Sequence, residues 1–534
     1  MTNILCETHI PDQIDHDTQR LLYRRQFLVG PSYGASLPFW KRTRIREKLL
    51  LTTHPDLGIH QLAKGDKSLT LLGFMLDPDD PGADDAHILE QLFGPLCEDQ
   101  AGGKRLESID RLGGRWVLIV DEGTDVEVFT DFFGMRQVFY TVPEAGMSPW
   151  CASNLALLRT VLNLPTDPEA QDYLEAMKEQ GRTEYWWPGT STLCEGVKCL
   201  TPNHALNLIT GKMRRFWPRE AIAPTSLRRA VSGGSRLLSG LMKAAMNRCP
   251  LMILVSSGLD SRLLLASARE GRKSLTTVTF IVDGLTPDSA DVTVPSRLLP
   301  SLGVAHKVLD CTQPMDPEFA QLYLSNTTAA HEAYGKIAHA LFHSGLTSFL
   351  RVTGAGGEAF RPEYVEFTPR SLASAYQLTD HPFVLKELAT WMESVSDARG
   401  WRPEDIFYLE QRLGRWLSEG QTEWDIAQDS FTPFDCRALV ELLMGVKEDY
   451  LRGPGYELCY SLIRDLWHDV LREPINPHKE VPACPRTLKQ SLRHAMVKAH
   501  ILDYVLPVWR AFDRNQGGNL EPAHQVHAGR ALVG

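Results

Sequence analysis

Two kinds of hydrophobic pattern divide this chain. Up to about residue 215 the apolar residues come in short runs of strand length. Leu69–Met75 and Trp116–Val120 are largely apolar, Val126-Glu-Val-Phe-Thr130 alternates sides, and the turn Asp121–Asp125 joins it to the preceding strand as a predicted hairpin. Gln137–Val142 continues the meander after Gly134, and Ala205–Ile209 and Lys212–Trp217 flank a Thr210-Gly211 turn. Pro218–Pro224 reads as a linker, and beyond Thr225 the period changes. Ser226 can cap a helix with Leu227, Val231, Leu237, Leu238, Leu241 and Met242 on its apolar side, weakened by Gly233-Gly234. Leu251–Val255 is a continuous apolar run, as expected of a strand covered on both faces. A helix over Ser261–Arg269, a strand over Leu275–Val282 and a third over Lys307–Asp310 give a βαβ rhythm. After about residue 370 helices are predicted, among them Phe383–Ser394, Leu439–Tyr450 and Leu462–Leu471.

At 534 residues the chain is too long for one ordinary core. Two domains are expected, residues 1–217 and residues 218–534. A net charge of −10 argues against a nucleic-acid partner. The sequence has no run of about 18 apolar residues, so no membrane span is expected, and no export signal is read at its start. The ten cysteines form no Cys-x-x-Cys pair, and a cytoplasmic setting with reduced thiols is the expectation.

The segment with the most chemistry is Leu254-Val255-Ser256-Ser257-Gly258-Leu259-Asp260-Ser261, where a buried strand turns through small residues into a helix. Small residues let backbone N–H groups converge on an anion, and the helix adds its N-terminal positive end. Asp260 would repel a bare phosphate unless Mg²⁺ lies between them, so a phosphate cradle with a metal carboxylate is the economical reading.

This run resembles the pyrophosphate loop of the N-type ATP pyrophosphatases, Ser-Gly-Gly-x-Asp-Ser, with Ser257 in place of the first glycine. Arg351-Val-Thr-Gly-Ala-Gly-Gly-Glu-Ala359 is similar to the second signature of asparagine synthetases, Ser-Gly-Glu-Gly-Ala-Asp-Glu. The resemblance extends to Gly113–Val120, Thr130–Tyr140 and Glu195–Trp217, which look like stretches of that family's first domain. It implies an N-terminal Ntn-hydrolase-like, glutaminase-type α+β sandwich followed by a doubly wound parallel α/β synthetase domain with a helical C-terminal part. It also implies ATP and Mg²⁺ as cofactors. The adenine would sit on the backbone of Leu254 and Val282, with Thr353 and Gly354 near the nucleotide. Asp260 and Glu358 would share the metal, and Lys479 would serve as a late catalytic cation.

Three departures shape the functional reading. The family's N-terminal catalytic cysteine is replaced by Thr2, with Cys6 as a remote substitute, and its glutamine-holding motifs are not recognisable. The first domain therefore reads as a retired glutaminase. Ala355 stands where related enzymes carry a Glu or Tyr that helps deprotonate the amine, leaving His331, Glu332, Glu363 and Tyr364 as candidate bases. His306 matches a family histidine and reads as structural. The expected activity is an ATP-dependent ligase that adenylates a carboxylate and passes it to an amine without hydrolysing glutamine. Lasso-peptide cyclase, β-lactam synthetase and glutamine- or ammonia-dependent asparagine synthetase are specific forms. A tRNA-modifying adenylating enzyme and a non-catalytic scaffold are the other classes. The substrate would be a small molecule or peptide carrying carboxylate and amine, with a biosynthetic protein partner in the peptide case.

Overall fold

Between residues 20 and 215 the chain builds two sheets whose inner strands are buried throughout, Phe27–Gly30, Gly113–Asp121 and Val126–Thr130 among them. The computed structural model describes residues 20–98, 105–142, 149–361 and 365–477. Its strands in this part are Phe27–Gly30 (β1), Lys41–Arg46 (β2), Leu49–Thr53 (β3), Ile59–Lys64 (β4), Lys67–Leu76 (β5), Gly113–Asp121 (β6), Val126–Thr130 (β7), Phe139–Thr141 (β8), Cys151–Ala152 (β9), Val197–Cys199 (β10), His204–Asn207 (β11) and Met213–Arg215 (β12). They form two six-stranded sheets, ordered β10-β8-β9-β1-β3-β2 and β12-β11-β7-β6-β5-β4. Phe27, Val29, Leu49 and Leu51 of the first sheet share one buried cluster with Leu72, Val117, Ile119, Val128 and Leu206 of the second. The sheets therefore stack face to face as an antiparallel sandwich. The predicted hairpin is β6–β7, closed by the Glu122 amide donating to Asp125 O at 3.0 Å.

Past residue 225 the architecture is α/β. Helix α1 (Leu227–Arg248) begins on the predicted Ser226 cap, which accepts from the Arg229 amide, and it runs unbroken through Gly233-Gly234. Tight packing explains the glycines: a Cβ at Gly234 would lie 2.9 Å from Leu443 Cδ2 and 3.0 Å from Leu462 Cδ2. Five parallel strands follow, Leu251–Leu254 (β13), Thr276–Ile281 (β14), Ala305–Asp310 (β15), Leu350–Val352 (β16) and Ser430–Phe431 (β17), in the order β15-β14-β13-β16-β17. The intervening helices include α2 (Leu259–Ser267), α3 (Ala290–Ser301), α4 (Pro317–Ser325) and α5 (Glu332–His343), with α6 (Glu457–Trp467) later. From β13 the chain first builds outward to β14 and β15, then returns to the other side for β16 and β17. The order of strand addition, not the strand direction, reverses between β13 and β16.

The tail past residue 370 is mostly helical; the expected helix Leu462–Leu471 is the α-helix Glu457–Trp467 followed by the 3₁₀ turn His468–Leu471, and two further differences from expectation stand out. The tail contributes the two-residue β17 to the sheet, which no local pattern announces. The expected helix Leu439–Tyr450 is Arg437–Met444 followed by the short 3₁₀ turn Glu448–Tyr450. At the break the Gly445 carbonyl accepts from the Thr225 amide at 2.7 Å, and the segment Ala223–Thr225 leaves no room for a Cβ at Gly445. Residues 403–424 form consecutive helical segments, Pro403–Phe407, a wider π-helical stretch Tyr408–Leu417, and Ser418–Trp424. Residues up to Ile475 belong to one unit and Asn476–Leu532 to a second, of which Asn476 and Pro477 are described.

Candidate active site

The serine loop joins β13 to α2 at the carboxyl end of the sheet. Burial of Leu251–Val255 on both sides fixes the strand, and the Val255 amide and carbonyl are held by Val278 O (3.0 Å) and Thr279 Oγ1 (2.6 Å). The two flanking serines latch the turn. Ser261 Oγ accepts from the Ser256 amide at 3.2 Å and contacts Ser256 Oγ at 3.2 Å, and Ser256 Oγ accepts from the Gly258 amide at 3.1 Å. Ser257, where the pyrophosphate loop it resembles has its first glycine, is not among the residues with positive φ, so a side chain is tolerated there. Its amide (3.1 Å) and hydroxyl (2.5 Å) both donate to Asp291 at the start of α3. Gly258 (φ −71°) is the N-cap of α2 and brings no side chain to the first-turn amides of Leu259, Asp260 and Ser261. Those amides and the helix dipole present positive potential at this edge.

The Gly-rich segment after β16 meets this loop. β16 lies next to β13, with Ile253 opposite Val352, so Thr353 and Gly354 continue in register beside Leu254 and Val255, at the start of the serine loop. The turn continues through Gly356 at φ +92°, where a Cβ would come within 2.5 Å of the Phe133 ring, so glycine is required twice over. A Cβ on Gly357 would lie 2.8 Å from Asp260 Oδ1. The two signatures therefore touch through Asp260. Arg361, at the end of the same turn, ion-pairs with Asp260, and Glu358 accepts from Tyr408 OH at 2.6 Å. Asp260 is pushed up to about 7: burial is the larger cause, Arg361 opposes it, and the negative charge of Glu358 adds to it. Burial together with the Glu358 charge drives the Tyr408 phenol well above its ordinary range. Tyr408 is therefore a fixed proton donor that orients Glu358.

Other candidate residues lie as follows. Leu254 pairs with Val278 inside the sheet, and Val282 follows β14 with its carbonyl accepting from the Leu285 amide at 2.9 Å. Ala355 is buried, and its amide donates to Thr353 Oγ1 at 3.2 Å. His331 is buried with both ring nitrogens engaged, Nδ1 with Glu423 Oε1 (2.7 Å) and Nε2 with Tyr185 O (2.9 Å), a packing role. His306 Nδ1 lies 3.2 Å from Thr277 Oγ1 on the neighbouring strand. Lys479, Thr2, Cys6, Glu363 and Tyr364 lie outside the described residues. Arg361 and Tyr408 were not found from sequence. A lone Arg three residues after Glu358 and a Tyr fifty residues away carry no local pattern.

No family model matches the chain, and no curated protein matches it. Among solved structures, the allosteric regulatory enzyme of purine biosynthesis is 12% identical, over 59% of this chain and 80% of that one, with a TM-score of 0.24. The glutamine phosphoribosylpyrophosphate amidotransferase of B. subtilis, complexed with ADP and GMP, is 11% identical over 65% and 73%, with a TM-score of 0.22. Likeness at that level carries no functional argument. The fold class rests on the strand orders themselves: a mixed α/β chain with antiparallel sheets first and a parallel sheet after.

Proposed function

We propose that this chain is an ATP-dependent ligase that activates a carboxylate as its adenylate and passes it to an amine, with no glutamine hydrolysis. One observation carries the reading. The serine loop and the Gly-rich turn meet at the carboxyl ends of β13 and β16, where the strand order reverses, and each brings one carboxylate. In open α/β sheets, ligands bind outside the carboxyl ends of the strands at such a switch point.

The donor set fits a hard divalent cation. Asp260 and Glu358 would supply carboxylate oxygens, the ligand type such a cation takes, and burial with the Glu358 charge raises the Asp260 carboxyl against the opposing charge of Arg361. Asp260 and Glu358 would hold Mg²⁺, which supplies charge neutralisation at the phosphates. The first-turn amides of α2 would receive the departing pyrophosphate, acting as preorganised donors. Tyr408 keeps Glu358 aimed at the site, and Arg361 adds a second cation beside Asp260. The carboxylate and amine would gain from being held together at one site. The antiparallel sandwich serves as the platform on which Phe133 supports Gly356.

The test is calorimetric titration of Mg-ATP into the full chain and into Asp260→Ala. Saturable binding by the first and none by the folded second is expected. Absence of binding to the natural protein sinks the proposal and leaves a non-catalytic scaffold. Incubation with pools of carboxylates and amines, read by mass spectrometry for AMP and loss of water, then identifies the substrate class.

A further inference from the structure

We propose that Asp316, His339 and His343 form a binding site for a divalent transition-metal ion of the zinc type, separate from the serine loop. His339 and His343 lie four residues apart near the end of α5, so their rings share one face of the helix, 4.6 Å apart between centroids. Asp316 comes from the N-cap of α4. Its Oδ2 lies 2.8 Å from His339 Nε2 and 3.4 Å from His343 Nε2. Among the described residues this is the one group of three or more His, Cys, Asp or Glu side chains whose ligand atoms all fall within 4.8 Å of one another.

The arrangement suits a tetrahedral centre. Bonds of about 2.0–2.1 Å at tetrahedral angles put ligand atoms about 3.3 Å apart. The two Asp316–His distances bracket that value, so small side-chain rotations open the centre. The orientation of Asp316 is already fixed, because its other oxygen accepts from the Phe319 amide at 2.8 Å, the kind of outer hydrogen bond that aims a ligand in metal sites. Phe319 sets its ring edge against His339 at 5.2 Å, and Phe342 does so against His343 at 5.2 Å, walling the group with apolar surface. His343 is more than half exposed, which gives an entry path and leaves a coordination position open to water. The helix C-terminus further favours a cation here. Two nitrogen ligands and one carboxylate select zinc-like ions over magnesium or calcium, which take oxygen ligands. The ion would staple the start of α4 to the end of α5.

The experiment titrates ZnCl₂ into the full chain by calorimetry and records the optical spectrum of the Co²⁺ form. One equivalent bound, a higher melting temperature and a cobalt spectrum without thiolate charge transfer are expected. His339→Ala, His343→Ala and Asp316→Asn should each weaken uptake by more than about tenfold. Asn also serves as a helix N-cap, so Asp316→Asn tests the ligand without removing the cap. No saturable uptake by the natural protein would overturn the site. So would uptake unchanged in all three variants, or a cobalt spectrum dominated by thiolate bands.

Discussion

At the scale of single residues, Asp260 concentrates the physics of the proposed site. Its carboxyl is held at about 7 in the fold, against an ordinary value of 3.8, first by burial and then by the charge of Glu358. Between those values the folded chain binds more protons than the unfolded one, so this group's contribution to stability falls as pH rises through the window. Binding of a magnesium-bound nucleotide needs the charged form and should move the other way, strengthening as pH rises toward and past about 7. Asp260→Asn imitates the neutral acid. Relative to the natural protein it should therefore gain stability with rising pH, while nucleotide affinity becomes weak and flat across pH. Denaturant midpoints and calorimetry over the same pH series check both signs; parallel trends in the two proteins would dismiss the titration of Asp260. Gly357 gives a second residue-scale prediction. An added Cβ meets Asp260 Oδ1 at 2.8 Å and Asp260 Cβ at 3.0 Å, so Gly357→Ala must displace the carboxylate. Losing one charged contact costs about 1.5–3 kcal/mol, roughly one to two powers of ten in affinity. Nucleotide titration of the variant should show that loss with an almost unchanged melting temperature.

At the scale of elements, the helical stretch 403–424 links the site to the interior. Tyr408 reaches Glu358, while Glu410 is buried and pairs with Arg215 and Trp391 Nε1. Further along the same stretch Glu423 bonds Tyr323 OH and His331 Nδ1. Burial opposes charge on His331, but Glu423 outweighs it and raises the imidazole from 6.5 to about 9. A raised folded value contributes stability that is complete below about 6.5 and lost as pH rises through about 9. Glu423→Gln removes that contribution and should cost about 3–5 kcal/mol at pH near 6 and clearly less near 10. Equal losses at both values, read from urea unfolding, would show that His331 is not the titrating partner. How much of these elements is legible in the sequence follows from how local their causes are. β13, the hairpin β6–β7, the Ser226 cap and the serine loop each depend on a few adjacent residues, and each is readable. β17 is two residues long and exists only because Arg351 and Val352 are already in place beside it. The π-helical turns of Tyr408–Leu417 place Glu410 and Arg415 in the interior, where their partners come from segments about two hundred residues away. No window along the chain contains that information. That Asp260 and Glu358 share a site is implied by the resemblance alone, and the place of Arg361 beside them belongs to the same class as Glu410 and Arg415, since no nearby pattern contains it.

At the scale of the whole unit, the question is what makes the sandwich and the parallel sheet act together. The strongest tie is a buried charge network. Arg115 of β6 donates to both oxygens of Asp425, one at 2.9 Å, and to Asp429 Oδ1 at 3.0 Å, while Arg136 reaches Asp429 Oδ2 at 3.2 Å. Gln26 adds a bond to Asp425 Oδ2 at 2.9 Å. The neighbouring turn is shaped by Asp131, which accepts from the amides of Trp116, Met135 and Arg136 and so sets Phe133 against Gly356. Burial works against the charge of Asp429, but Arg136 and Arg115 overcome it and hold the carboxyl at about 2. Removing one member of such a network strands a buried charge, and Asp425→Ala should cost about 3–5 kcal/mol. Because the same arginine pair fixes the turn that carries Phe133, nucleotide affinity should fall as well, although Asp425 is not itself a member of the proposed site. The exposed pair Lys64–Glu90, 3.2 Å apart on the sandwich surface, offers the contrast. Lys64→Ala should change stability by less than about 1 kcal/mol and leave nucleotide binding alone. Urea midpoints and Mg-ATP calorimetry on the two variants decide the matter. A stability loss in Asp425→Ala with full nucleotide affinity would mean that the sandwich supports the fold without supporting the loop.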